Sequence, residues 1–268
     1  MKRGVVALLI TALAACGADK AADPTIVTTS AHVPAVAPAN TTAAAPPSKP
    51  RVLLIGDSTL LAIDHYDAYR ALKGFEYVYD AKSCRTLGIP SCGERPLPPN
   101  AVEAINHSDG NFDDVVIMAG YDEWWTSFPQ SFDDVVAAAR AKGARRIIWL
   151  TYREGVPYKL LTGERADEAF IKNNQTLRDK VASGKFPDVV LAQWYPHTPP
   201  HIGWLTEDGI HLTAKGALGL ADYVSRWIAH AEGLPCPMPA TPGGPVESVC
   251  SNPDPQPPIA DLMELYPR

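Results

Sequence analysis

The sequence predicts an α/β domain: a doubly wound, flavodoxin-like sheet of about five parallel strands with helices on both faces. Three observations carry that expectation. Five short apolar runs, at 52–55, 75–79, 114–119, 146–151 and 188–193, alternate with longer stretches of helical character. The runs are nearly continuous in apolar residues, as strands are when helices cover both faces of a parallel sheet. The first run ends on Gly56-Asp57-Ser58. A strand hands over to a helix in this way at the carboxyl edge of an open sheet, where ligands bind.

The chain begins with basic Lys2 and Arg3 and an apolar stretch from Val5 to Leu13 that is too short to anchor in a bilayer. That stretch closes on Leu13-Ala14-Ala15-Cys16, which resembles the lipobox of bacterial lipoproteins. The resemblance implies that residues 1–15 are a signal peptide, cleaved before Cys16, whose thiol then carries the lipid. The mature chain would be tied to the membrane on its extracytoplasmic face. A plain secretory signal would export it equally. Residues 16–49 are rich in Ala, Thr and Pro, and such a stretch buries too little apolar surface to offset its ordering entropy. It is expected to be a disordered tether.

The globular part is expected at 50–232. Its helices are read at 60–73, 101–106, 132–142, 166–183 and 213–230, with Ser131 as N-cap and Gly143 as C-cap of the third. Residues 233–268 carry ten prolines and are expected to lie on the domain surface. With 24 Lys+Arg against 30 Asp+Glu, the chain offers no compositional basis for a nucleic-acid surface. Four cysteines follow Cys16: Cys84, Cys92, Cys236 and Cys250. An even number in an exported protein favours disulfides, with three possible connectivities. Two local bridges, one around each Gly/Pro-bearing loop, are the simplest. No cofactor or metal is expected, because neither these cysteines nor His197-Thr-Pro-Pro-His201 has the neighbours that complete a ligand set. A monomer is expected.

Ser58 would stand at a helix N-terminus, whose free N–H groups stabilise negative charge. A serine hydroxyl at its free pKa needs a base. The stretch Thr206-Glu-Asp-Gly-Ile-His-Leu-Thr213 offers one, since Asp208 and His211 lie three apart in a turn. Asp208 on one ring nitrogen would leave the other free to take the serine proton. Either residue could instead serve only the turn.

Gly-Asp-Ser after the first strand together with Asp-x-x-His-Leu-Thr before the last helix resembles the SGNH/GDSL hydrolase family, over roughly residues 50–232. The resemblance implies acyl transfer, with Ser58 as nucleophile, His211 as base and Asp208 as its partner. Ester hydrolysis of a cell-envelope glycan or glycolipid is the leading expectation. An O-acyltransferase with the same triad is the alternative, and a non-catalytic envelope-binding module a further one. Two departures matter. The family's third block is Gly-x-Asn-Asp, whose Asn donates to the oxyanion. Here Gly120-Tyr-Asp-Glu123 puts Asp122 at that position, and an ionised carboxylate has no hydrogen to donate. Asp122 could be held protonated, backbone amides could suffice, or catalysis could be lost. The second block's backbone donor could be the amide of Cys84 or of Gly88, beside that of Ser58. Trp124, Trp125, Arg153, Trp194, Tyr195 and Trp204 fall on loops at the active edge. Trp124, Arg153 and Trp204 are therefore substrate-binding candidates, with Arg85 or Arg153 for an anionic group, unless loop packing buries them.

Overall fold

The computed structural model describes residues 49–93, 95–156, 166–201, 203–239, 243–254 and 262–266. The expected signal peptide, Cys16 and almost all of the expected tether lie outside these residues. Five strands form the sheet: β1 (Arg51–Gly56), β2 (Glu76–Ala81), β3 (Asp114–Met118), β4 (Arg146–Leu150) and β5 (Val189–Ala192). Their order is β2-β1-β3-β4-β5, and every pairing is parallel. The expected α/β class and strand number are as found.

Successive strand residues feed opposite layers. Val52, Leu54, Val116, Met118, Ile148 and Leu150 pack on one face, under α1 (Ser58–His65) and α6 (Ala214–Glu232). Leu53, Ile55, Val115, Ile117, Ile147 and Trp149 pack on the other, under α2 (Ala101–His107), α3 (Phe128–Ala141) and α4 (Ala166–Ala182). Because helices cover both faces, the strands read as apolar runs rather than alternating ones. The chain crosses from β2 over β1 to β3, so the switch point lies between the carboxyl ends of β1 and β3. Open α/β sheets bind ligands at such a point.

Three details depart from the expected elements. The helix read at 60–73 stops at His65 and resumes as a 3-10 turn, Ala68–Ala71. Asp67 breaks it by adopting φ +52°, a left-handed conformation that Asp tolerates better than most residues. The third helix starts a turn early, at Phe128, with Pro129 in its first turn. Ser131 is therefore inside it, and its hydroxyl donates to Glu123 Oε1 at 2.7 Å. The tail is more than surface wrapping. Among the described residues the short α5 (Trp194–His197) and α7 (Leu262–Leu265) are the remaining α-helices, and Leu262, Leu265 and Tyr266 are buried in the α1/α6 layer. Tyr266 donates its hydroxyl hydrogen to Asp222, which also holds Arg226 Nε at 2.7 Å. A Pro-rich composition concealed this short apolar plug.

Both local disulfides form, Cys84–Cys92 and Cys236–Cys250, with Cα separations of 5.2 and 4.5 Å. Among the described residues no helix is long and apolar enough to cross a membrane.

Candidate active site

Ser58 is the first residue of α1, directly after β1. Asp57 caps the helix: its Oδ1 accepts the Thr59 amide at 2.9 Å and the Thr59 hydroxyl at 2.6 Å. Its Oδ2 accepts the amides of Gly120 and Tyr121 at 3.1 and 3.2 Å. One fully buried carboxyl thus ties the turn after β1 to the turn after β3. Burial pushes it up to about 6, against the pull of the Thr59 hydrogen bonds. Gly120 is required there, because its φ is +112° and a Cβ would lie 2.6 Å from the Tyr152 hydroxyl.

Ser58 Oγ lies 3.0 Å from His211 Nε2, and His211 Nδ1 lies 2.6 Å from Asp208 Oδ2. The turn before α6 fixes that alignment from within. Asp208 Oδ1 accepts the Ile210 amide at 2.8 Å, the His211 amide at 2.9 Å and the Thr206 hydroxyl at 2.8 Å. Partial burial would raise the Asp208 carboxyl, but the hydrogen bonds from His211, Ile210 and Thr206 outweigh it and hold it at about 2. Asp208 is therefore an ionised acceptor that orients the imidazole, leaving Nε2 toward the serine.

Two clefts meet at this pair. One, of about 240 Å³, is lined by Ser83, Cys84, Tyr121, Asp122 and Phe170 with Ser58 and His211. The other, of about 340 Å³, runs along α1 past Leu61, Tyr66 and Leu212. Both Ser58 and Cys84 line the smaller cleft, and among the described residues their amides donate to no protein acceptor. Asp122 sits in the same cleft. The residue is exposed, yet desolvation of the carboxyl by the cleft walls pushes it up, and neighbouring His211 draws it back.

Gly88 is elsewhere. Its carbonyl accepts from Asn100 Nδ2 at 3.2 Å, and its Cα abuts Ser131. Of the two second-block candidates, Cys84 is the one in the cleft. Cys84, Cys92 and Asp122 have ligand-type atoms within 4.8 Å of one another, but both sulfurs are engaged in the disulfide.

The rim residues divide. Trp124 and Trp125 are exposed, at 43% and 41%, with Lys172 Nζ 4.0 Å over the Trp125 ring. Trp204 is 3% exposed and is core, not a substrate contact. It stacks on His201 at 3.7 Å and lies against α6, where side chains at Gly216 and Gly219 would collide with it. Trp194 is likewise buried. Arg85 is fully buried and spent on the Asp80 carbonyl and carboxylate and the Pro99 carbonyl, so it holds no ligand anion. Arg153 donates its amide to the Tyr121 hydroxyl, and its guanidinium lies 5.3 Å over the Tyr195 ring. His197 and His201 pack with Trp204 and Tyr223; burial lowers them to about 3 and about 4.

Sequence reasoning missed Glu123. It is buried and accepts from the Leu87 amide at 2.8 Å and from the Ser127 and Ser131 hydroxyls at 2.8 and 2.7 Å. It joins the loop after β2 to the loop after β3. A charged residue flanked by aromatics and serines in Asp122-Glu-Trp-Trp-Thr-Ser127 was the only available signal.

No protein-family model and no curated protein matches the sequence. Solved structures do. The chain is similar to the C-terminal catalytic domain of Streptococcus pneumoniae peptidoglycan O-acetyltransferase A, at 19% identity and TM-score 0.50, over 75% of this chain and 99% of that one. It is similar to the native aryl esterase of M. smegmatis at 16% identity and TM-score 0.51, over 67% and 98%. A protein from Slackia heliotrinireducens assigned as an SGNH hydrolase aligns at 22% identity and TM-score 0.46, over 65% and 98%. The chain shares its doubly wound α/β fold with the O-acetyltransferase domain and the aryl esterase.

Proposed function

We propose that the protein is an extracytoplasmic serine ester hydrolase. The observation that carries this reading is the aligned Ser58–His211–Asp208 set at 3.0 and 2.6 Å, opening on a cleft that Cys84 also lines. His211 Nε2 takes the Ser58 proton as Oγ attacks the ester carbonyl, Asp208 steadies the imidazolium, and His211 returns the proton to the departing alkoxide. Water, deprotonated by the same histidine, then releases the acid. The Ser58 and Cys84 amides receive the oxyanion. In its protonated form Asp122 supplies the hydrogen that an Asn would otherwise donate.

The lipobox-like leader, the two disulfides and the exposed Trp124 favour an envelope substrate, such as an acylated glycan, reached by a lipid-anchored monomer. A second reading is O-acyl transfer to a sugar hydroxyl. It is favoured by the second cleft beside Ser58 and by the likeness to an O-acetyltransferase domain. Labelling with a fluorophosphonate tests the nucleophile: one adduct on Ser58, absent in Ser58→Ala, is expected. An unlabelled Ser58 would favour a binding module. Product analysis with and without an oligosaccharide acceptor separates hydrolysis from transfer.

A further inference from the structure

The loop after β2 turns at Cys84 with φ +65°. Glycine adopts that left-handed region freely, whereas a residue bearing a Cβ must be held in it. Cys84 is held from several sides. Its sulfur is bonded to Cys92, and its carbonyl accepts the Cys92 amide at 3.2 Å. The next residue, Arg85, is anchored by its buried guanidinium to Asp80 and Pro99. Cys84 so held lines the cleft that contains Ser58, Asp122 and His211, and its N–H donates to no acceptor among the described residues.

We propose that the Cys84–Cys92 bond is a positioning device for the reaction: it locks Cys84 in the left-handed conformation that presents its amide to the oxyanion, so breaking this bond lowers turnover while the fold persists. The inference rests on the esterase reading and adds a redox dependence to it. Geometry also separates this bridge from the other one. Cys92 is exposed and Cys84 partly so, whereas Cys236 and Cys250 are 5% and 0% exposed. A thiol reductant therefore reaches Cys84–Cys92 first. With dithiothreitol the S–S bond breaks, each sulfur gains one electron and one proton, and the reductant leaves as its cyclic disulfide.

The test measures kcat and KM of the full chain on a short-chain aryl ester. Cys84→Ala/Cys92→Ala is expected to lose about 10²-fold in kcat with KM within about threefold, since misplacing one oxyanion donor costs that order. Cys84→Gly/Cys92→Ala is expected to regain at least about tenfold, because glycine takes the left-handed turn without a bond. Cys236→Ala/Cys250→Ala should lose thermal stability and keep its kcat. Mild reduction of the native chain, with thiols mapped by alkylation and folding followed by near-UV circular dichroism, reads the same effect without substitution and decides the matter where an alanine variant does not fold. A glycine variant as slow as the alanine one, or selective reduction without loss of kcat, overturns the inference. An untreated chain that neither turns over ester nor takes up fluorophosphonate at Ser58 overturns the esterase reading and this inference with it.

Discussion

Asp57 Oδ2 accepts the Gly120 amide at 3.1 Å across 63 residues of sequence, while the same carboxyl caps the helix that begins at Ser58. The residue preceding the nucleophile is thus the joint between the turns that follow β1 and β3. The turn after β3 carries Asp122, so the alignment of Ser58 with this proposed oxyanion partner depends on the Asp57 side chain.

Removing that joint leaves buried amides without acceptors. Asp57→Ala is expected to cost at least about 2 kcal/mol in urea unfolding, because each unsatisfied buried donor costs about 1–3 kcal/mol and the helix cap is lost as well. Asp57→Asn, which keeps one acceptor oxygen, should fall between. An alanine variant as stable as the parent would show that the carboxyl is not the joint.

Asp122 gives the pH profile a signature. Its carboxyl is raised by desolvation, and only the protonated form donates, so kcat should fall as pH rises through its ionisation. Asp122→Asn keeps a donor at every pH and should abolish that fall. The check is the pair of kcat–pH curves on a neutral ester; superimposable curves would remove the proposed role.

Two histidines, His201 buried and His197 half-buried, are expected to make stability fall in acid. His197 and His201 are lowered to about 3 and about 4, so the folded state refuses protons that the unfolded chain accepts at ordinary histidine values. Unfolding therefore takes up protons as pH falls below about 6.5, at about 1.4 kcal/mol per pH unit for each histidine. This stability is complete above that pH and is lost progressively down to the folded values of about 4 and about 3. In His201→Phe the dependence of the unfolding free energy on pH should be shallower between 4 and 6. An unchanged slope would contradict the assignment.

The two tryptophans named together from sequence should separate on substitution. Trp204→Ala opens a cavity against Gly219 and is expected to cost about 3–5 kcal/mol. Trp124→Ala should change stability by no more than about 0.5 kcal/mol and instead raise KM for a bulky glycan ester. Equal loss of stability in both would place Trp124 in the core.

The strands were legible because burial on both faces writes itself as unbroken apolar runs, and Ser58, Asp208 and His211 were legible because each sits in a short motif beside an element boundary. What was not legible depends on partners distant in sequence. Arg85 looks like an anion ligand until Asp80 and Pro99 surround it. Trp204 looks like a rim aromatic until Gly219 in α6 leaves the space that its ring fills. Glu123 shows its role only once Leu87 and Ser131 converge on it, and Tyr266 only once Asp222 meets it across 44 residues. Asp57 stands inside the most conspicuous motif of the chain, yet its acceptors are spent on a loop that local pattern does not connect to it.

The central claim is that Ser58 is a nucleophile activated by His211. Steady-state hydrolysis of a short-chain aryl ester by the full chain, measured beside its Ser58→Ala variant, tests it most directly. The account predicts turnover by the parent and a loss of at least about 10³-fold in the variant, in line with removal of a serine nucleophile from an aligned set. Equal turnover by the two proteins would contradict it.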